Sequence, residues 1–249
     1  MSRKPQLMGI VNLTPDSFYE PSRASGTEEA LSRIRELLAS GVDIIDLGAV
    51  STRPGAADVP LEEEWRRLEE VLPRLKDAGF PISIDTTRAE IVRRAYDLTG
   101  TFIVNDISAG EDDARMLPAV AELGLPYIAM HKRGNPRCMD ALTDYPKGVV
   151  EEVLEYFDSF AQKADSLGIT NWILDPGFGF AKTAEQNWEL LNRLPEFRRF
   201  GRPILVGVAD KRFTHTKNPA TGHGGSRYAE RLAARLGADI LRVHKGNFR

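Results

Sequence analysis

Short apolar stretches recur along the chain, and each one ends on polar residues. The eight stretches are Leu7–Val11, Asp43–Gly48, Ile82–Asp85, Thr101–Asn105, Pro126–Met130, Asn171–Asp175, Pro203–Val208 and Asp239–His244. Segments with helical periodicity separate them, so a strand and a helix alternate seven times before a last strand. This order predicts right-handed crossovers and a parallel sheet. Eight strands favour a closed (β/α)8 barrel, the TIM barrel, over an open sheet.

The helical segments also predict where the barrel is incomplete. They are Thr27–Ser40 with Thr27 as N-cap, Leu61–Gly79 kinked or divided by Pro73, Thr87–Leu98, Asp112–Leu123, Pro146–Leu167, Ala184–Leu194 and Ser226–Leu236. Only KGNFR follows His244, so no eighth helix is predicted. A strip of barrel wall between the last and first strands is therefore expected to lack a covering helix. Two explanations are open: a neighbouring subunit covers the strip, or the chain is a shortened one.

Composition narrows the class of protein. The 249 residues contain no Pro/Gly/Ser-rich linker, which predicts one domain over residues 1–249. The hydrophobic fraction is 42% and the net charge is −3, so neither a membrane span nor nucleic acid as main partner is expected. A single cysteine, Cys138, and the lack of a signal peptide indicate a reducing cytoplasm.

Residues suited to binding or chemistry stand at most of the strand ends. Ligands of parallel α/β folds bind at the carboxyl ends of the strands, so these side chains are expected around one site. The candidates are Asn12, Thr52, Arg53, Asp85, Asn105, Asp175, Lys211, Arg242 and His244.

Two of the candidates, Asp175 and Asn105, are together suited to the edge of a flat, nitrogen-rich ring, and Asp85 is expected to point into the barrel mouth. Asp175 lies in WILDPGFGFAK, where Phe178 and Phe180 offer aromatic faces, and its carboxylate can accept two parallel hydrogen bonds from an N–C–N edge. A turn with a core Phe pair is the structural alternative. Asp85 and Asn105 also have structural alternatives. Asp85 can cap a helix instead of facing a ligand, and in the pair Asn105-Asp106 the aspartate can cap the next helix.

The cationic candidates predict an anion site. Lys211, Arg53, Arg242 and His244 lie at three different strand ends, and together they suit a phosphate. Asn12 can place an amide oxygen on a hard cation beside that phosphate, although an Asx turn is the alternative. The histidines lack metal-ligand spacing, and no GxGxxG or P-loop motif occurs.

Eight segments in this order resemble the dihydropteroate synthase family, the folate-pathway enzymes that sulfonamides target. They are MGIVNLTPDSF, GVDIIDLGAVSTRPGA, ISIDT, VNDISAG, MHKRGNP, ILDPGFGFAKTAEQN, PILVGV with a following Lys, and LRVH. The DSFY and AVSTRPGAADV variants are most similar to the enzymes of the Bacteroidetes lineage. The resemblance implies a (β/α)8 barrel that condenses 6-hydroxymethyl-7,8-dihydropterin pyrophosphate with p-aminobenzoate, giving dihydropteroate and pyrophosphate.

The resemblance also implies a role for each candidate. The pterin site would comprise Asp85, Asn105, Asp175 and Lys211, with Met130 and Phe180 packing on the ring. Asn12 would help to hold Mg2+, whereas Thr52, Arg242 and His244 would bind the pyrophosphate. Arg53 would lie on the p-aminobenzoate side, in a mobile second loop. Asp85, Lys211 and Arg53 are the expected catalytic residues, and a homodimer is the expected assembly.

The chain departs from the family pattern after the seventh strand. It has Ala209-Asp210-Lys211-Arg212 in place of Ser-Arg-Lys-Ser, which sets an anion near the expected benzoate carboxylate. Val50 replaces an acidic residue, and the segment Thr214–Gly225 reads as a mobile Pro/Gly-rich loop in place of a short helix. Two alternatives therefore stay open. One is a paralogue that binds pterin pyrophosphate with impaired or altered p-aminobenzoate use, and the other is a methyltetrahydrofolate-binding methyltransferase barrel with a corrinoid partner.

Overall fold

A parallel β-barrel surrounded by helices forms the protein. The computed structural model describes residues 4–13, 23–50, 58–134 and 141–246, except for the side chains of residues 23–25. Within these ranges eight strands occur: β1 Gln6–Asn12, β2 Ile44–Gly48, β3 Ile82–Asp85, β4 Ile103–Asp106, β5 Tyr127–Met130, β6 Trp172–Asp175, β7 Leu205–Val206 and β8 Ile240–Val243. Each lies within, or one residue beyond, the apolar stretch that predicted it.

The helices alternate with these strands. Their bounds are α1 Arg23–Ala39, α2 Leu61–Glu69, α3 Leu72–Leu75, α4 Ala89–Thr99, α5 Met116–Leu123, α6 Val149–Ser166, α7 Ala184–Asn192 and α8 Ser226–Arg235. Pro73 lies in the first turn of α3, so the predicted division of the second helical segment is confirmed. No helix among the described residues is long and apolar enough to cross a membrane.

The strands pair in parallel in the order β6-β5-β4-β3-β2-β1-β8-β7. A single bridge between Leu174 of β6 and Ile204, just before β7, joins the two ends of this sheet. The predicted (β/α)8 barrel is therefore confirmed.

The inward-facing side chains form an apolar layer inside the barrel and a polar layer at the carboxyl ends of the strands, which is called the mouth. Inward-facing apolar side chains from six strands pack together inside the barrel: Met8, Ile44, Ile128, Ile173, Leu205 and Ile240. Side chains two residues apart on a strand share a face. Ile103 of β4 packs against this layer. The inward residues one step further along five of the strands are therefore Asp46, Asn105, Met130, Asp175 and Arg242.

The expectation of a bare strip of barrel wall is wrong. The described residues after β8, which reach Gly246, form no helix. Nevertheless Leu7 of β1 and Leu241 and Val243 of β8 are buried in the main core. Helix α1 packs on β1 and α8 packs on β8, so the neighbouring helices reach the strip from both sides.

Two local predictions are also corrected. Helix α1 begins at Arg23, so Thr27 is not its N-cap; the Thr27 hydroxyl donates instead to Glu70 of the next helical region (3.0 Å). A short 3₁₀ helix does follow Lys211, at Arg212–His215. The segment after it is tied down by a Lys217–Gly224 bridge and by the paired amides of Asn218 and Asn192.

Candidate functional site

The carboxyl ends of the first four strands bring three predicted residues into one row. Asn12, Gly48 and Asp85 are successive partners across β1, β2 and β3, and Asn105 is the partner of Asp85 on β4. A Cβ atom at Gly48 would lie 3.7 Å from both Asn12 Oδ1 and Asp85 Cβ. The missing side chain of Gly48 therefore leaves room between the Asn12 amide and the Asp85 carboxylate.

Arg242 connects this row to a fully buried carboxylate. Its Nε donates to Asp46 Oδ2 and its Nη2 donates to Asp85 Oδ2, each at 2.7 Å. Asn105 Nδ2 lies 3.3 Å from both Asp46 oxygens. These bonds hold the guanidinium and the amide in fixed orientations at the floor of the mouth.

Asp46 is the site residue that sequence reasoning missed. It lies inside the apolar stretch of β2 rather than at the polar end of that stretch, so it is not among the strand-end candidates. The signal was present, because Ile44, Asp46 and Gly48 alternate along one strand and share its inward face. An acidic residue on that face must be paired, since an isolated buried carboxylate is costly.

A tight turn after β6 fixes Asp175. Its Oδ1 accepts a hydrogen bond from the Gly177 backbone N–H (2.9 Å), and its carbonyl oxygen accepts from the His131 N–H after β5 (3.0 Å). Gly177 has a φ of 73°, and a Cβ there would lie 1.9 Å from the His131 carbonyl oxygen. Only glycine fits this position.

An apolar wall with one cation lies beside Asp175. Met130 and Phe180 pack with Ile107 and Ala181, and the Lys211 Nζ lies 4.7 Å from the centroid of the Phe180 ring. The missing Cβ of Gly179 makes room for the Lys211 side chain, because a Cβ there would lie 3.1 Å from the Lys211 Cδ. The two phenylalanines of this segment have different surroundings. Phe180 lines the candidate site, whereas Phe178 stacks on Phe213 in the core.

Burial shifts the pKa values of the ionisable groups in this mouth. Burial raises the pKa of Asp175 to about 6, against the hydrogen bond from Gly177 and the charge of Lys211. It also raises the pKa of Asp85, although the Arg242 guanidinium opposes that shift. Burial and the neighbouring Arg242 lower the pKa of Lys211 to about 8. Perturbed groups clustered in a cleft are typical of functional sites.

Several predicted residues have other partners or lie outside the described ranges. Thr52 and Arg53 lie outside the described residues. His244 follows the last residue of β8, and its carbonyl oxygen accepts a hydrogen bond from Arg33 of α1. Asp106 holds the β4–α5 loop through Ser108 and Gly110 rather than capping α5, which begins later.

Asp210, which departs from the family pattern after the seventh strand, has well-defined hydrogen-bond partners. Asp210 is exposed with a φ of 54°, a conformation that Asp tolerates better than most residues. Its backbone N–H donates to Ser226 Oγ (3.0 Å), and that hydroxyl lies 3.4 Å from Asp210 Oδ1. The Asp210 carboxylate thus lies at the N-terminus of α8, where the helix dipole favours negative charge.

A barrel mouth with carboxylates, amides and an aromatic side chain has the chemistry that suits a polar heterocycle. The sequence model of the family described as "Pterin binding enzyme" matches residues 8–244. A dihydropteroate synthase from Synechocystis sp. is 41% identical over 249 residues, covering 97% of this chain and 86% of that protein.

Solved structures give the same result. The Xanthomonas albilineans dihydropteroate synthase with 4-aminobenzoic acid is 38% identical with a TM-score of 0.86, covering 98% of this chain and 89% of that one. The Yersinia pestis dihydropteroate synthase with a sulfonamide drug complex is 31% identical with a TM-score of 0.87, covering 100% of this chain and 94% of that one. The chain belongs to the dihydropteroate synthase family.

Proposed function

We propose that the chain is a transferase of folate biosynthesis, a dihydropteroate synthase. It joins 6-hydroxymethyl-7,8-dihydropterin pyrophosphate to p-aminobenzoate and releases pyrophosphate. Family membership and the barrel support this assignment. The observation that carries it at the level of the site is the buried Asp175, flanked by Met130, Phe180 and Lys211.

Pterin recognition is assigned to the inner part of the mouth. The Asp175 carboxylate accepts hydrogen bonds from the N–C–N edge of the ring, and Asn105 and Lys211 contact its other polar atoms. Met130 and Phe180 pack on the faces of the ring. This allocation is supported by the shared apolar cluster of Met130 and Phe180 and by the cation held over Phe180.

The chemistry is a displacement at the pterin methylene carbon. The aniline nitrogen supplies the electron pair for the new C–N bond, the C–O bond breaks, and pyrophosphate leaves with its electrons. The nitrogen then loses one proton to solvent. Asp85 stabilises the positive charge that develops on the pterin as the C–O bond breaks, by electrostatics alone.

The leaving group is assigned to the cationic side of the mouth. Arg242, Thr52 and His244 bind the pyrophosphate, and Arg53 lies on the p-aminobenzoate side. Arg242 is held by Asp46 and Asp85, so its guanidinium is oriented before the substrate arrives. Preorganised charge of this kind costs no reorganisation during the reaction.

Mg2+ is the proposed cofactor, and Asn12 is the proposed protein ligand. Among the described residues no group of three or more His, Cys, Asp or Glu side chains is arranged to hold a metal ion. Mg2+ commonly binds through few protein oxygens plus phosphates and water, so one amide oxygen beside a pyrophosphate fits this mode. Bound Mg2+ would offset the negative charge of the leaving group.

A second candidate function is favoured by one observation. Asp210 and Arg212 replace the residues that usually shape the p-aminobenzoate side, so a paralogue that binds pterin pyrophosphate with altered p-aminobenzoate use is the alternative. The Asp210 carboxylate is held at the α8 N-terminus by Ser226, which supports retained p-aminobenzoate use, since the anion has a partner of its own.

One assay separates the two functions. Purified protein is incubated with pterin pyrophosphate, Mg2+ and labelled p-aminobenzoate, and dihydropteroate and pyrophosphate are measured together. Equimolar formation of both products is expected. Pyrophosphate release without dihydropteroate would identify a paralogue with altered p-aminobenzoate use. Pterin pyrophosphate that binds but stays intact would identify a paralogue with impaired use, and a lack of binding would contradict both functions.

The remaining expectations concern the chain as a whole. A single domain over residues 1–249, a homodimer and a cytoplasmic location stay predictions. So does the expectation that nucleic acid is not a partner. None of them is needed for the proposed reaction at the barrel mouth.

A further inference from the structure

A buried lysine lies behind the turn that carries Asp175. Lys182 is 8% exposed, and its Nζ lies 2.9 Å from the Gly177 carbonyl oxygen and 3.0 Å from that of Phe180. The third neighbour is His131 Nδ1, at 3.0 Å. An ammonium group has three protons to donate, so each of them has an acceptor.

The two carbonyl groups belong to the turn that shapes the proposed pterin site. Gly177 donates its N–H to the Asp175 carboxylate, and Phe180 lines the apolar wall. Between Phe180 and Lys182 the chain passes through Ala181 at a φ of 50°, a left-handed conformation that costs alanine about 1 kcal/mol or more. Lys182 supplies charge-assisted bonds that stabilise this turn.

His131 extends the contact to the neighbouring strand. It directly follows β5, its N–H donates to the Asp175 carbonyl, and its ring packs edge-on against Tyr156 at 4.9 Å between centroids. Burial lowers the pKa of Lys182 to about 7. Below that pH the ammonium group donates to Nδ1, which accepts, and the ring proton then lies on Nε2. Burial and the charge of Lys182 lower the pKa of His131 and keep the ring neutral.

We propose that Lys182 and His131 form a positioning pair for pterin binding. Lys182 fixes the Gly177–Phe180 turn, and His131 supplies the acceptor that holds the lysine, so that Asp175 and Phe180 are oriented before the ring enters. The pair acts through backbone atoms and is not assigned a contact with substrate. The inference rests on the proposed function, because it concerns the same pterin site.

The first test compares two lysine variants. Lys182→Met keeps the aliphatic stem and removes the ammonium, and Lys76→Met makes the same change at an exposed lysine. Calorimetry measures pterin pyrophosphate binding, and steady-state kinetics give KM for each substrate. Lys182→Met is expected to weaken pterin pyrophosphate binding about tenfold or more, the loss of roughly one charge-assisted hydrogen bond. The KM for p-aminobenzoate is expected to stay within about twofold, because the pair is assigned to the pterin site alone.

The second test uses rescue at the histidine. His131→Asn can present an amide oxygen near the Nδ1 position, whereas His131→Leu cannot accept a hydrogen bond. The asparagine variant is expected to retain pterin binding, and the leucine variant is expected to lose it to the same extent as Lys182→Met. If the asparagine and leucine variants bind equally, the role of His131 is refuted.

A spectroscopic measurement on the wild-type chain does not depend on how the variants fold. In 15N-labelled protein at about pH 6, below the Lys182 pKa of about 7, Nδ1 of His131 is expected to be unprotonated and hydrogen-bonded. A proton on Nδ1 would overturn the pair.

The other outcomes are also decisive. Unchanged pterin affinity in Lys182→Met refutes positioning. An equal loss for both substrates, together with a lower melting temperature than that of Lys76→Met, means that Lys182 is only structural. If the wild-type chain does not bind pterin pyrophosphate, the proposed function fails first and this inference falls with it, so the two failures are distinguished.

Discussion

Two aspartates and one arginine, Asp46, Asp85 and Arg242, form an ion-pair network in the mouth. Asp46 is fully buried, and Arg242 bonds both to it and to Asp85. Removing one member of such a buried set leaves an uncompensated charge, which costs far more than a surface pair contributes. These residues are therefore expected to tolerate replacement poorly, whatever their part in the chemistry.

Asp175 is expected to show a conflict between binding and stability. Its folded-state pKa of about 6 lies above the ordinary value of 3.8, so its ionised form is disfavoured by folding. The cost is complete above the folded pKa and vanishes as pH falls below the unfolded value. Asp175→Asn should therefore raise the free energy of unfolding at pH 8 by about 1–3 kcal/mol while losing pterin binding.

Urea unfolding at several pH values checks this prediction. The gain in Asp175→Asn should shrink steadily between pH 7 and pH 4, because the wild-type carboxylate then takes up its proton. The exposed Asp97→Asn serves as the control and is expected to change stability by less than about 0.5 kcal/mol. A gain that does not depend on pH would contradict the assigned cause.

Most site residues were predictable because they stand where strands end. Asp85, Asn105 and Asp175 are terminal or nearly terminal strand residues, and parallel strands bring such positions together. The local packing was less predictable. Whether Gly179 admits a ligand or the Lys211 side chain depends on a residue from another strand, which one chain segment cannot reveal.

At the scale of elements, helix α2 ties two loops to the end of β3. The Glu64 carboxylate is buried and accepts from Thr86 Oγ1 and from Arg88 Nη1, each at 2.6 Å. Arg88 also donates to the Val59 carbonyl oxygen (2.6 Å). Since Thr86 directly follows Asp85, this network fixes the backbone beside a proposed catalytic carboxylate.

Two arginines near α4 provide a matched comparison. Arg88→Ala leaves the buried Glu64 carboxylate without its cation and is expected to lower the free energy of unfolding by about 2 kcal/mol or more. Arg93→Ala breaks an exposed pair with Glu122 and is expected to cost less than about 1 kcal/mol. Denaturant titrations measure the free energy of unfolding of both variants. Equal losses of free energy would show that the burial of Glu64 does not matter.

Element boundaries were predicted less well than element order. Polar residues that suit a helix start, such as Thr27, can equally lie within a helix and bond across to another one. The Pro/Gly-rich segment after Lys211 read as a loop, yet Trp188 and Asn192 of α7 bond to it and hold it in place. Tertiary contacts of this kind override local propensity.

At the scale of the whole molecule, the barrel has one weak seam. The strands β6 and β7 meet through a single bridge, whereas β1 and β2 share five paired positions. Asp239 reinforces the seam, because its Oδ2 accepts from the Ile204 N–H (2.8 Å). Local opening is expected to be most frequent here.

Hydrogen exchange can measure this seam. Asp239→Ala leaves the Ile204 N–H without its acceptor and should speed amide exchange at Leu174 and Ile204 about tenfold or more. Asp43→Ala removes an equivalent bond to the Leu7 N–H (2.8 Å), but in a wall with a long ladder. Acceleration of the same size around Leu7 would contradict a special weakness of the β6–β7 seam.

The apolar floor of the barrel has a kinetic consequence. The layer that includes Met8, Ile44 and Ile240 fills the interior, so small molecules reach the mouth from one side only. In the proposed reaction the pterin occupies the inner part of this mouth, so pterin pyrophosphate is expected to bind before p-aminobenzoate. A compound bound at the outer position then blocks the exit of the inner molecule. It prolongs the residence time of the inner molecule without contacting the groups that bind that molecule.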